Sequence, residues 1–183
     1  GCFFGLIINL IKINGDPFLN TILKIFVNIF RTIPEMVLIF WIYSCLPLIL
    51  SIRISSEVCG IIALTLISTA YLSEILRAGI ESINKGEIEA GYSLGLSIFP
   101  IWYKIILPTA VRRMIPPFIN FFTEILKATS LLSAISVGEM AYKASILGAK
   151  TLAYFEFLSL IAVIYFIIIY PVSFISNKIE DQV

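Results

Sequence analysis

The sequence predicts an all-α integral membrane protein, a bundle of about five transmembrane helices with an incomplete first helix and one patterned loop between spans. Three observations predict it. Of the 183 residues, 59% are hydrophobic and only 14% are charged, far from the balance of a soluble domain. Several apolar runs reach the ~20 residues that cross a bilayer, too long for helices with one wet face. Lysine and arginine are also unevenly shared among the connections between those runs.

The elements follow in order. Gly1–Ile13, GCFFGLIINLIKI, reads as the tail of an apolar helix, so the N-terminal span is expected to be incomplete. A second span lies within Leu19–Leu50 and a third is Glu57–Ile80. A fourth is assembled from Pro108–Leu132, where Pro116 and Pro117 each remove a backbone donor and predict a kink or break near Ile115. Leu152–Ser176 is the clearest span, with Tyr154, Tyr165 and Tyr170 spread along it, Glu156 near its start and Lys178 just beyond its end. No repeat or low-complexity linker divides residues 1–183, so one membrane domain is expected.

Charge placement sets the orientation. With the connection at 83–107 inside, Lys12, Lys24, Lys85, Lys104, Arg112, Arg113 and Lys178 fall inside or at the inner boundary, and Arg31 and Arg77 lie near it. Only Arg53, Lys143 and Lys150 are then outside, as the positive-inside rule prefers, and the C-terminus is cytoplasmic. The net charge of +1 suggests neither a nucleic-acid partner nor a polyanionic substrate. The chain has no histidine, which removes the commonest general base and metal ligand. Cys2, Cys45 and Cys59 are far apart and form no CxxC pair, so packed or lipid-facing thiols are expected and no metal or catalytic site.

The connection INKGEIEAGYSLGLSIFPIWYKIILP, residues 83–108, is too polar to span and too patterned for a random link. Asn84 with Glu87 three residues on marks a helix start, and a helix from about Lys85 to Leu94 is expected. Glu87 and Glu89 then sit at its positive end. Glu87, Ala90, Gly91, Leu94 and Gly95 share neighbouring turns as a strip of mainly small residues. Gly91 costs ~1 kcal/mol against Ala inside a helix, which suggests a close approach of backbone to something else. By composition alone, a small helix resting on the membrane fits equally well.

Resemblance decides between these. Glu89-Ala90-Gly91, Ser93-Leu94-Gly95 and then Ile106-Leu107-Pro108 with Ala110 resemble the E-A-A … S-L-G … LP-x-A loop of binding-protein-dependent ABC importer permeases. Arg31-Thr32-Ile33-Pro34 followed by LIFWIY at 38–43 is similar to the R-x-x-P segment of their polar-amino-acid subfamily. Ala70-Tyr71, Glu74-Ile75 and Arg77-Ala78-Gly79-Ile80 resemble its AY-x-x-E-I-x-R-x-G-I element, and Lys127 with Thr129-Ser130-Leu131 its K-D-T-S-L segment. The blocks occur in order across residues 31–131. Gly91 replaces a second Ala, Asn84 stands where many members have Pro, and Ala128 stands where the family has Asp, so nothing follows about cationic amino acids.

The resemblance implies a permease subunit in a bacterial cytoplasmic membrane, moving a polar amino acid without chemistry of its own. ATP is then bound by ATP-binding partner subunits. Further implied partners are an extracytoplasmic solute-binding protein, a second permease subunit, identical or homologous, and membrane lipid. The implied coupling surface is Gly86, Glu87, Glu89, Ala90, Gly91, Leu94 and Gly95. A permease for methionine, metal or another solute is the alternative, and an integral membrane enzyme or a non-transporting scaffold a more distant one.

Ionisable groups within spans are expensive and invite a functional reading. Glu74, Arg77 and Glu81, three and four apart, can pair on one helix face. A structural ion pair is the leading reading there, with Glu74 carried as a candidate for the translocation path. Glu124 and Lys127 lie deeper, beside Thr129 and Ser130, and these four are candidates to face the cavity and meet an amino acid's ammonium and carboxylate. Trp41, Phe121 and Phe122 read as packing.

Overall fold

A computed structural model describes residues 1, 4, 5, 8 and 17–180, so most of the expected remnant at Gly1–Ile13, with Lys12 and Cys2, lies outside the described residues. All regular structure among the described residues is helical. Among the described residues three helices are long and apolar enough to cross a membrane, or up to four with one bent pair counted as a span.

That bent pair occupies the expected Leu19–Leu50 span. Helix α1 (Pro17–Thr32) and helix α2 (Glu35–Leu50) meet at 105°. The cause is local: proline pushes the residue before it out of the helical region, and Pro34 has no N–H to continue the ladder. Helix α2 restarts from the Pro34 carbonyl, which accepts from Leu38 N at 3.1 Å.

Helix α3 (Ser56–Glu81) begins where the Ser55 hydroxyl accepts from Val58 N at 3.4 Å. Helix α4 (Lys85–Ser93) is a short helix lying between the long ones in sequence. A helical turn, α5 (Ile98–Ile101), passes through π-helical Trp102–Ile106 into α6 (Leu107–Ala128), and 3₁₀-helical Thr129–Ile135 follows. The whole run, Ile98–Ile135, has 38 residues, about 57 Å at the usual helical rise, so it extends past a bilayer core. Much of the predicted loop 83–107 is therefore the start of a long helix.

The expected break near Ile115 is absent, and α6 runs through Pro116 and Pro117. The Pro116 carbonyl accepts from Ser176 Oγ of the last helix at 3.1 Å, the kind of neighbour contact that makes proline tolerable in a span. The irregularity falls earlier, in the π-turn.

Helix α7 (Met140–Thr151) has no counterpart in the sequence reading. Its 12 residues cover about 18 Å, too short to span. Glu139 caps it, accepting from Ala141 N at 2.7 Å and Tyr142 N at 2.6 Å. Helix α8 (Tyr154–Glu180) packs on α6 and α7, yet only Ile161 and Ser176 of it are buried. A helix apolar on all sides and largely uncovered needs lipid or other helices around it.

The main core joins α2, α3 and the 3₁₀ segment through Leu38, Ile39, Ile42, Cys59, Ala63, Ile67, Leu132 and Ile135. Cys59 is buried and Cys45 half-buried, both as free thiols. Phe121 stacks on Tyr71 with ring centroids 5.3 Å apart, whereas Trp41 and Phe122 are half-exposed.

Candidate functional site

Helix α4 is built as its sequence asks. The Asn84 side chain accepts from Gly86 N at 3.0 Å, and nine residues follow. The helix ends in a Schellman turn: Leu96 N donates to the Gly91 carbonyl at 3.1 Å and Gly95 N to the Tyr92 carbonyl at 2.9 Å. Gly95 has φ +75°, the left-handed conformation this turn requires.

The underside of α4 rests on a small cluster of Ile83, Ile101, Ile106 and Ala110, with Ile88, Leu96, Ile105 and Met114 against it. This divides the strip of small residues. Gly91 is buried and faces its own chain: a Cβ there would lie 3.0 Å from Ile101 Cγ1 and 3.1 Å from Ile105 Cδ1. Its close approach is thus to the following helical turn. Glu89, Ala90 and Gly95 are exposed, Glu87 half-buried, and Leu94 79% exposed. Gly86 is exposed in the first turn. The outward surface carries Glu89, Ala90 and Leu94 without Gly91.

At the C-terminal end of α3 the charges form a connected network. Arg77 binds Glu74 at 2.7 Å and Glu81 at 2.6 Å, as the spacing predicts. The network extends beyond α3, because Arg31 of α1 reaches Glu74 at 3.2 Å and lies over the Tyr71 ring at 5.6 Å. Arg113 of α6 donates to the Ser82 carbonyl and lies 3.7 Å from Glu87 of α4. Sequence spacing could not find these partners, 43 and 31 residues away for Arg31 and Arg113. Arg31, Tyr71, Glu74, Arg77, Arg113 and Pro117 line a cavity of about 420 Å³.

The other candidates gather at the far end of α6. Lys127 Nζ donates to Glu124 Oε1 at 2.8 Å, and both are exposed, 51% and 63%. Thr129 Oγ1 and Ser130 Oγ donate to the Leu126 and Lys127 carbonyls at 2.6 and 2.7 Å. Glu35, at the start of α2, sits within electrostatic reach of Glu124 and was not singled out by the sequence. Arg113, Pro117, Asn120, Glu124 and Lys127, three or four apart, place a polar stripe along α6. Glu74 belongs to the network at the end of α3. Along α6, Glu124 lies about 16 Å from Arg113, so the path candidates form two groups.

Long apolar helices, a short capped helix packed against them and a polar stripe fit the membrane subunit of a transporter. The profile of the family described as binding-protein-dependent transport system inner membrane component matches residues 1–182. The chain belongs to that family: it is a multi-pass inner-membrane permease subunit, not an enzyme, and works with an ATP-binding subunit and a solute-binding protein. It is 35% identical over 181 residues to "Probable glutamine ABC transporter permease protein GlnP" of Bacillus subtilis (strain 168), covering 97% of this chain and 83% of that one. It is 32% identical over 182 residues to "Putative glutamine transport system permease protein GlnP" of Rickettsia typhi, covering 100% and 84%. The crystal structure of an amino acid ABC transporter matches all of this chain and 85% of its own at 28% identity, with a TM-score of 0.89. An inward-facing MetNI methionine ABC transporter shares the fold at 21% identity, with a TM-score of 0.68 over 97% of this chain and 86% of its own.

Proposed function

We propose that this chain is one half of the translocation path of an ATP-driven importer for a polar amino acid, and that α4 is its handle on the ATPase. The observation that carries the reading is α4 itself. It is a capped nine-residue helix fixed to the bundle on one side, presenting Glu89, Ala90 and Leu94 outward. Tyr92 at 51% and Leu94 at 79% exposure put apolar side chains on the uncovered side of this helix, where a partner could cover them. The amino-acid substrate is supported by the names of the relatives and of the solved neighbour.

In this reading residues 1–183 form a single transmembrane domain, and 83–107 lies in the cytoplasm with the C-terminus. The permease works as a pair with an identical or homologous subunit. ATP is held by the partner ATPases, and no cofactor belongs to this chain. Their closure moves α4 of each half, and the paired bundles exchange an inward-open for an outward-open cavity. The cycle has direction because each ligand binds the two states unequally. Glu124 and Lys127 offer the solute one acceptor and one donor of opposite charge, beside Thr129 and Ser130, while Glu74 lines the inner end.

The test is Leu94→Glu, measured in the complex purified with its ATPase. A charge desolvated at a contact costs several kcal/mol, so the variant is expected to insert normally but to lose the ATPase or uncouple hydrolysis from uptake. Wild-type uptake with a retained ATPase counts against α4 as the docking element.

A further inference from the structure

We propose that Arg113 is the positioning residue that fastens the docking helix to the membrane bundle, so that movement of α4 is passed to the spans. The inference rests on the reading of α4 as the ATPase contact. Arg113 lies in the first half of α6, and its guanidinium touches two other elements at once. One nitrogen donates to the Ser82 carbonyl at the end of α3 and lies 3.4 Å from Ser82 Oγ. Another lies 3.7 Å from Glu87 Oε1 in the first turn of α4.

Each contact has a physical reason. The last carbonyls of a helix have no partner within it, and they form the negative end of its dipole, so a cation at Ser82 serves both needs. Glu87 stands at the opposite kind of end, the start of α4, and turns its carboxylate back toward the same guanidinium. A fork with several fixed donors can hold two acceptors in different directions, which a lysine ammonium cannot match in geometry. Apolar packing also holds α4: Ile88 joins the cluster around Ile101, and a Cβ at Gly91 would lie 3.0 Å from Ile101 Cγ1. Apolar packing sets which face of α4 is covered, and the guanidinium adds directional contacts that tie α4 to the end of α3.

The anchored segment leads on into the bundle. Ser82 follows Glu81, which is bound to Arg77, which shares Glu74 with Arg31 of α1. Arg31 covers Tyr71, and Tyr71 stacks on Phe121 of α6. A shift of the Ser82 carbonyl therefore has a contiguous path of ion pairs and stacked rings toward α1 and the outer half of α6.

The experiment reads ATP hydrolysed per solute imported by the assembled complex in proteoliposomes. Arg113→Gln is expected to raise that ratio about fivefold, the size of effect seen along such networks, with the amount of assembled complex unchanged. Arg113→Lys falls between the two, and carries the test if the Gln variant fails to assemble. Glu87→Gln added to Arg113→Gln should make nothing worse, because the two act through one contact. A wild-type ratio in Arg113→Gln, or independent additive effects of the two substitutions, overturns the proposal. Leu94→Glu run in parallel separates the failures. If it uncouples while Arg113→Gln does not, only the positioning role falls; if neither changes the ratio, the docking role of α4 falls with it.

Discussion

Lys127 and Glu124 make a 2.8 Å pair on a helix that crosses the membrane, where a lone charge would cost a few kcal/mol. Lys127→Met leaves the carboxylate without that partner, in electrostatic reach of Glu35. If the pair meets the solute, this substitution abolishes uptake while the complex still assembles, and unchanged uptake kinetics would refute that role. The pairs at three and four residues' spacing were legible because helix geometry alone brings them together. Arg31, Arg113 and Glu35 were not, since their partners sit on other helices and no local rule sets those distances. Gly91 marks the limit of such reading: its lack of a side chain signalled a close approach, but only packing shows that Ile101 and Ile105 do the approaching.

Between elements, α3 and α6 approach each other closely at Gly79. A Cβ at Gly79 would lie 2.3 Å from Met114 Cγ, so the two helices meet where one has no side chain. Gly79→Leu should therefore force them apart and destabilise the bundle by about 1–3 kcal/mol, seen as earlier thermal unfolding in detergent. Met114→Ala in the same chain should restore part of the loss, and a Gly79→Leu protein as stable as the parent refutes the contact. Proline acts differently at two places in the chain for a reason at this scale. At Pro34 the helix breaks, and α1 and α2 meet at 105°. At Pro116 and Pro117 the helix is packed against α8, with Ser176 bonded to the Pro116 carbonyl, and it continues. Sequence shows the missing donor in both cases, but not which neighbour stands beside it. Helix α7 escaped notice because 12 residues with a Glu cap carry neither a span's length nor a preferred capping residue.

For the whole molecule, the orientation is open to direct measurement. In a protein with its own cysteines replaced, a cysteine at Lys85 should react with an impermeant thiol reagent only from the cytoplasmic side, and one at Lys150 only from outside. Reaction of both from one side overturns the topology. The sequence by itself determined the solvent and the class: apolar runs of spanning length, a capped helix between them, and ordered blocks over residues 31–131 that mark the family. Those are local signals, set by composition, by backbone donors and by three- and four-residue spacing. Tertiary structure alone decided which face of α4 is free, which charges join α1, α3, α4 and α6, and where the helices break or continue at proline. The physical reason is that burial, cross-helix ion pairing and proline rescue depend on neighbours distant in sequence.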